Sequence, residues 1–517
     1  MFVDARTVPH SDQLEADICI VGAGPAGIAL ATSLSGFGRR IIVAESGGLE
    51  PDSATQLLND GETVGLSYRV NESRLRYFGG SGNHWGGGCR PLDSSDFVGR
   101  DWVPDSGWPF GRSELEPYYS KARLLCGLAQ EDASAEDMRA RGSMPVPWLD
   151  PLETAIWQTS PARPFGTRFR STLSEAPGVT VLLNANLVQL VTKEQGRTVA
   201  AGRFGTLSGV QFTIIAHYFV LACGGIENAR LLLAMPGEYH PAGLGNEHDL
   251  VGRFFTEHPE MLVGALVYSR SSPAVVSPGG HWTKNEQFSE GFRLTDRIQQ
   301  SAQIGNVAFW PLWTTDLTAL PELDTGIAPL IQDMFSRIDV DSPSGPRTCT
   351  ALTVSFEQSP NADSRITLTD ARDAFDMRRV RLDWRLNHLD ARTFATALKI
   401  MARESGRQRI GRFWLRPPLR HLDLDRPDSI QFNIPKSKAS PTTFDTELLW
   451  GSHHMGTTRM HLDSRRGVVD PQCRVHSLTN LYIAGSSVFP SVGVSNPTFT
   501  ILALALRLAD HLKKTSG

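Results

Sequence analysis

No two of the six cysteines, Cys19, Cys89, Cys126, Cys223, Cys349 and Cys473, form a C-x-x-C pair. That absence disfavours zinc ribbons and thioredoxin-like dithiols. Three of the six sit in apolar or glycine-rich surroundings, where a small buried thiol is the ordinary reading. A long apolar run is also missing: the longest, Phe499 to Leu506, is too short to span a bilayer. Charge of neither sign is in excess, the formal net charge being −4, so neither nucleic acid nor an acidic membrane is an expected partner. Met1 to Ala16 carries Asp4, Asp12 and Glu15 and no apolar core, so no signal peptide is read there. There is no internal repeat and no low-complexity tract. What these absences leave is a reduced, cytoplasmic globular protein. Its 517 residues, 40% hydrophobic and 21% charged, suit two or three domains.

Three glycine-rich turns stand out against that background. Asp17 to Val21 is a short apolar run of the kind a buried parallel strand shows. It leads into Gly22-Ala23-Gly24-Pro25-Ala26-Gly27, then a small-residue helical stretch, Ile28 to Leu34, and a second apolar run, Ile41 to Ala44, ending in Glu45. In such a βαβ unit Gly22 permits the tight turn, Gly24 lets backbone approach a pyrophosphate, and Gly27 lets helix and strand pack closely. The helix start favours phosphate charge, and Glu45 is spaced to accept from ribose hydroxyls. A lone fingerprint of this kind is weak evidence, but here strand, helix, second strand and acid all fall in place. They do not separate FAD from NAD.

A second cluster separates them better. Gly79, Gly80, Gly82, Gly86, Gly87 and Gly88 enclose Asn83-His84-Trp85, and so many glycines around an imidazole and an indole imply backbone laid against a flat ligand. A flexible linker rarely carries such residues. The third unit is the apolar run Phe219 to Ala222, then Gly224-Gly225-Ile226-Glu227-Asn228-Ala229-Arg230 and a leucine-rich helix.

With these motifs the chain resembles the glucose–methanol–choline (GMC) family of FAD-dependent oxidoreductases. Further matching pieces are Gly107-Trp108-Pro109-Phe110, Val251-Gly252-Arg253, Glu357 to Asn361, His453 to Thr457, Leu481 to Ser487 and Asn496-Pro497-Thr498. The Asn-His-Trp loop and the final Asn-Pro-Thr look like the pyranose oxidase branch and its bacterial sugar- and glycoside-oxidising relatives. The resemblance implies an α/β plus α+β fold. A discontinuous FAD domain would take residues 1–255 and 446–517, with an inserted loop and helical region at about 50–165. A substrate domain on an antiparallel sheet would take 256–445. Arg365 to Leu368 and Arg379 to Leu386 suit strands of that sheet. Ser271 to Gly280, rich in Ser, Pro and Gly, suits a lid loop. Cofactor contacts are expected from Gly22, Gly24, Gly27, Glu45, Gly80, Asn83, His84, Gly86, Val188, Gly224, Gly485, Ser486, Asn496, Pro497 and Thr498.

Oxidising an alcohol this way removes a hydride from carbon and a proton from the hydroxyl, and a neutral imidazole is a suitable base. The family pattern places that base at His453. Either of the adjacent histidines is open to a packing role, because an extended segment points them to opposite faces, and His454 is the competing candidate. With His461 they could bind a metal, but no carboxylate or cysteine spacing supports a site, so none is read. Asn496 before Pro497 is a good helix start whatever else it does. The same helix start would stabilise an anionic reduced flavin while the Asn496 amide bonds a substrate hydroxyl.

In pyranose oxidases the residue matching His84 carries FAD covalently. Here Gly86 stands where those enzymes have threonine, so a noncovalent contact is the reading, with a covalent link as the alternative. Glu357 and Gln358 suit polyol hydroxyls, although an ion pair with Arg365 explains Glu357 equally well. His258 reads as a turn residue. The expected function is oxidation of a sugar, glycoside or polyol hydroxyl, with electrons passing to oxygen or another acceptor. The rivals are a non-redox lyase on this fold and a natural-product tailoring oxidase acting, for example, on aminosugars.

Overall fold

The computed structural model describes residues 1–128, 149–161, 164–268, 281–282, 287–315, 333–334, 336–338, 349–430, 432 and 449–515. The apolar run at Asp17 to Val21 is the buried end of a longer strand, Gln13–Val21. It lies at the middle of an eight-stranded sheet. From one edge the order is Phe2–Asp4, Val179–Leu183, Ile41–Ala44, Gln13–Val21, Gln211–Leu221, Thr198–Gly205 and Asn186–Lys193, with Leu481–Ile483 also pairing with Gln211–Leu221. The first five are mutually parallel, and the last two add antiparallel ladders. Ile41–Ala44 and the carboxyl ends of the next two strands in that order, residues 18–21 and 219–221, are buried at every position and read as continuous apolar runs.

Gln13–Val21 has Ile41–Ala44 on one side and Gln211–Leu221 on the other. The connections therefore leave it in opposite directions, and a crevice opens beyond the strand ends. Two helices cover this region, Pro25–Leu34 and the C-terminal Pro497–Thr515, which pack on one another. Pro497 at the first helical position fits the preference for Pro where the backbone N–H is unpaired anyway.

A nine-stranded antiparallel sheet forms the second layer, ordered Gly411–Leu415, Pro259–Tyr268, Cys349–Phe356, Val307–Thr315, Gln287–Leu294, Leu152–Thr159, Gly88–Cys89, with two short strands alongside. Helix His388–Arg407 buries Phe394, Leu398 and Met401 against one face of this sheet, with Met261, Val263, Val354 and Phe356 beneath. Asn387 starts that helix, its side chain accepting from the N–H groups of Leu389 and Asp390.

Two placements differ from the sequence reading. Arg365–Arg372 and Arg378–Trp384 do pair antiparallel, but in a separate three-stranded sheet completed by Gly61–Gly65. The backbone close-packing at Gly61, where a Cβ would lie 2.6 Å from the Val380 carbonyl oxygen, shows why that edge takes glycine. Leu152–Thr159 and Gly88–Cys89, from the stretch expected as an insertion of the cofactor domain, belong to the nine-stranded sheet. The expected lid, Ser271 to Gly280, lies outside the described residues. Among the described residues no helix is long and apolar enough to cross a membrane.

Candidate active site

A cavity of about 380 Å³ lies beyond the carboxyl ends of the parallel strands, within the size range of cofactor sites. All three glycine turns reach it. Gly22, at φ +101°, turns the chain out of the first strand, and a Cβ there would stand 2.7 Å from the Ala222 carbonyl oxygen. Gly27 packs helix to strand, since a Cβ would collide with the Gly22 carbonyl. Gly24, Gly86, Gly224 and Gly485 behave differently. All four line the cavity, and a Cβ on any of them would meet no atom within 4 Å. Their missing side chains leave space for a ligand. Gly24 precedes helix Pro25–Leu34 and has no side-chain cap, so free backbone N–H groups face the same space.

Polar groups complete this cradle. Glu45, buried at 5% exposure, accepts from the N–H of Ala23 at 2.8 Å and of Gly47 at 3.0 Å, and lines the cavity. Asn186 Oδ1 and Asn496 Oδ1 both belong to cavity-lining residues, and both are buried without a hydrogen-bond partner among the described residues. Buried acceptors of this kind call for a donor. An elongated ligand with a flat ring system and phosphates fits the bare glycines, the helix start and these two amides.

Three arginines the sequence reading passed over also line the cavity. Arg74 and Arg76 each pair with Glu227 at 2.9 Å, and Arg230 pairs with Glu227 at 2.8 Å and with Asp373 at 2.5 Å. Glu45, Glu227 and Asp373 balance these three cations among the charged residues of the lining, and the guanidinium groups still offer donors that suit phosphate. Burial works to raise the Glu227 pKa, yet the arginines hold it well below the usual range. Burial also lowers Arg74 to about 10. The signal available in the sequence was the Arg-x-Arg immediately ahead of Gly79-Gly80, together with the unassigned charges of the Glu227 to Arg230 motif.

His453 and His454 also line the cavity. Thr256 and Met455 exchange backbone hydrogen bonds at 3.0 and 2.9 Å as an antiparallel bridge. Two residues further along each strand of that bridge, His258 comes opposite His453, on the same face. Their Nδ1 atoms are 3.0 Å apart, and the rings meet edge to face at 5.0 Å. His453 Nε2 lies 3.4 Å from Asn496 Nδ2. The next residue, His454, shares that lining but has other partners, its Nε2 lying 3.1 Å from Ser73 Oγ and its ring meeting Tyr68 edge to face.

The backbone around His453 is held tightly. Ser452 adopts φ +56°, a conformation costing a non-glycine residue on the order of 1 kcal/mol or more. The His453 N–H donates to both Glu257 carboxyl oxygens at 2.8 and 2.9 Å, and the same carboxyl receives the Tyr68 hydroxyl at 2.5 Å and the His258 N–H at 2.9 Å. Burial raises Glu257 to about 8 despite those donors. Burial, followed by the neighbouring His258 and His454, keeps His453 well below 6.5, so its imidazole is neutral. His258 and His454 are lowered by burial to about 4 and about 3. A neutral imidazole and an amide at the edge of a cofactor-sized cavity can accept a proton and orient a hydroxyl.

Other expected site residues fall elsewhere. Asn83 supports the glycine loop, donating to the Phe78 carbonyl and accepting from the Gly166 N–H, and it does not line the cavity. Val188 does not line it either, because the ladder shifts register between Leu187 and Gln189, and Asn186 and Leu187 face it instead. His84 is on the cavity wall, with its pKa lowered by desolvation. Glu357 and Gln358 are away from the cavity. Glu357 is clamped by Arg100 at 2.5 and 2.8 Å, while Arg365 pairs with Asp249 instead. Gln358 is used up by Trp384 and the Glu257 N–H. His461 lies apart from the pair, its Nδ1 accepting from the Asp463 N–H.

A family model described as GMC oxidoreductase matches residues 360–505. The chain is 26% identical to 6'''-hydroxyparomomycin C oxidase of Streptomyces lividus, covering 97% of this chain and 94% of that relative. It is 25% identical to paromamine 6'-oxidase of Streptomyces fradiae, over 95% and 90% of the two. In three dimensions it resembles a formate oxidase of Aspergillus oryzae, with TM-score 0.57 and 17% identity over 98% and 99% of the chains. It also resembles pyridoxine 4-oxidase from Mesorbium loti, with TM-score 0.55 and 16% identity over 96% and 99%. At such identities the two structures speak for the fold alone.

Proposed function

We propose that the chain is a GMC oxidoreductase that uses FAD to oxidise a hydroxyl of a sugar, glycoside or related polyol to a carbonyl. The observation that carries this reading is the neutral His453–Asn496 pair lining a cavity bared by four glycines. FAD, when bound, supplies the hydride acceptor. The backbone around Gly22, Gly24, Gly80 and Gly224, the helix start at Pro25, Glu45, Arg74 and Arg76 would hold its dinucleotide part. His84, Gly86, Gly485, Ser486, Pro497 and Thr498 would line the space for its ring system, with His84 in noncovalent contact. Gly27, Asn83 and Val188 would act by supporting that wall.

Among this chain's own groups, the lone pair of His453 Nε2 takes the hydroxyl proton, and Asn496 orients the oxygen that gives it up. Asn496 has no basic group, so proton removal rests on His453. Burial suits this task, because a base with a lowered pKa stays unprotonated at neutral pH. Electrons would then pass to oxygen or another acceptor, in a cytoplasmic protein.

Aminosugars are the favoured members of the substrate class. The two Streptomyces relatives, which cover nearly the whole chain, are named for aminoglycoside substrates. Anaerobic addition of sugars, glycosides and aminosugars to the purified holoprotein tests the reading. Bleaching of the flavin by one of these classes is expected. A flavin that no alcohol bleaches, in a protein that cleaves a substrate without redox change, would point to lyase chemistry instead.

A further inference from the structure

Building on the reading of His453 as base, we propose that His258 is a positioning residue that fixes the tautomer of His453. Two ring nitrogens 3.0 Å apart can bond only if one carries the proton. If His258 donated, the His453 proton would sit on Nε2 and the lone pair needed for proton removal would be lost. If His453 donates from Nδ1, its Nε2 lone pair is kept for the substrate hydroxyl, and until one enters it faces Asn496 Nδ2, which can donate to it.

Two observations favour the second arrangement, and a third holds the two rings together. The carbonyls of Val492 and Gly493 face the His258 ring and favour a proton on it. With Nδ1 turned to His453, the proton that those carbonyls favour belongs on Nε2. One consistent chain of donors then runs from Asn496 Nδ2 to His453 Nε2, and from His453 Nδ1 to His258 Nδ1. The third observation is the shared anchor. Glu257 accepts the backbone N–H of both histidines, and the Thr256–Met455 bridge sets their register, so the rings cannot slide apart independently. The backbone thus builds the pair, and His258 chooses which nitrogen of His453 faces the cavity.

Nitrogen-15 NMR of histidine-labelled holoprotein reads this directly, with the His453 signals assigned by their loss in His453→Gln. The expected result is a proton on Nδ1 and a pyridine-type Nε2. His258→Asn, which keeps an acceptor oxygen at the Nδ1 position, preserves that pattern, and His258→Phe abolishes it. Should His258→Phe fail to hold flavin, His258→Gln decides, because it moves the acceptor away from Nδ1 and must lose the fixed tautomer. A wild-type His453 protonated on Nε2 overturns the proposal, as does an unchanged His453 spectrum in His258→Phe or, where that variant holds no flavin, in His258→Gln. Failure of the base itself reads differently: a Nδ1-protonated His453 together with undiminished flavin bleaching in His453→Ala would sink the base and leave the tautomer standing.

Discussion

Among the described residues Glu257 accepts only from neutral groups, the Tyr68 hydroxyl and two backbone N–H groups, and burial raises its pKa from 4.5 to about 8. A carboxyl raised on folding contributes stability that is fully present below pH 4.5 and is lost as pH climbs to about 8. The buried histidines work the other way. His454, lowered from 6.5 to about 3, contributes stability that is present above pH 6.5 and lost as pH falls below it. Each group changes the slope by up to about 1.4 kcal/mol per pH unit. Urea unfolding as a function of pH should therefore show Glu257→Gln gaining stability with pH more steeply than wild type between 4.5 and about 8. His454→Gln should show a shallower acid limb below 6.5. Slopes indistinguishable from wild type would mean that neither group titrates differently on folding. His453 and Asn496 were legible as residues because both lie in short motifs. Their partner His258 was not, because its approach depends on a backbone bridge between residues 256 and 455 that local pattern does not encode.

Turns and helices carry the cofactor reading. Around the first glycine turn the second strand was legible to the residue, at Ile41–Ala44, while the first strand begins four residues before the apolar run, at Gln13, and the helix three before the stretch read, at Pro25. The small three-stranded sheet was not, because alternation identifies a strand but not the sheet it joins. Gly86 gives the sharpest test at this scale. Its Cβ position is open and its backbone needs no left-handed conformation, so Gly86→Val should fold normally. It should also fill the cradle. The purified variant is expected to keep its thermal midpoint as apoprotein but to copurify with little or no flavin. Full flavin content in Gly86→Val would place the ring system elsewhere.

Ion pairs deep in the molecule tie its layers together. Arg100, from the loop region after the second glycine cluster, grips Glu357 at the end of Cys349–Phe356, and the Asn306 N–H donates to the same carboxylate. Both side chains are almost wholly buried, at 5% and 1% exposure. Burial would raise the Glu357 pKa, but Arg100 and the Asn306 N–H hold it below 4.5. Removing one partner from such a pair typically costs about 3–5 kcal/mol. Glu357→Gln should therefore lower stability by roughly that much in denaturant unfolding, with little change in the substrate profile of protein that remains folded. A large change in substrate preference without loss of stability would return Glu357 to the substrate site. The sequence offered both roles for Glu357, and only the folded chain shows Arg100 brought to it across 257 residues.

The measurement that bears most directly on the central claim is anaerobic flavin reduction in a single turnover, comparing wild type with His453→Ala on the alcohol that bleaches wild type. With His453 as the base, the variant should retain its flavin yet be reduced about 10²–10⁴-fold more slowly. A His453→Ala protein reduced at the wild-type rate would contradict the account.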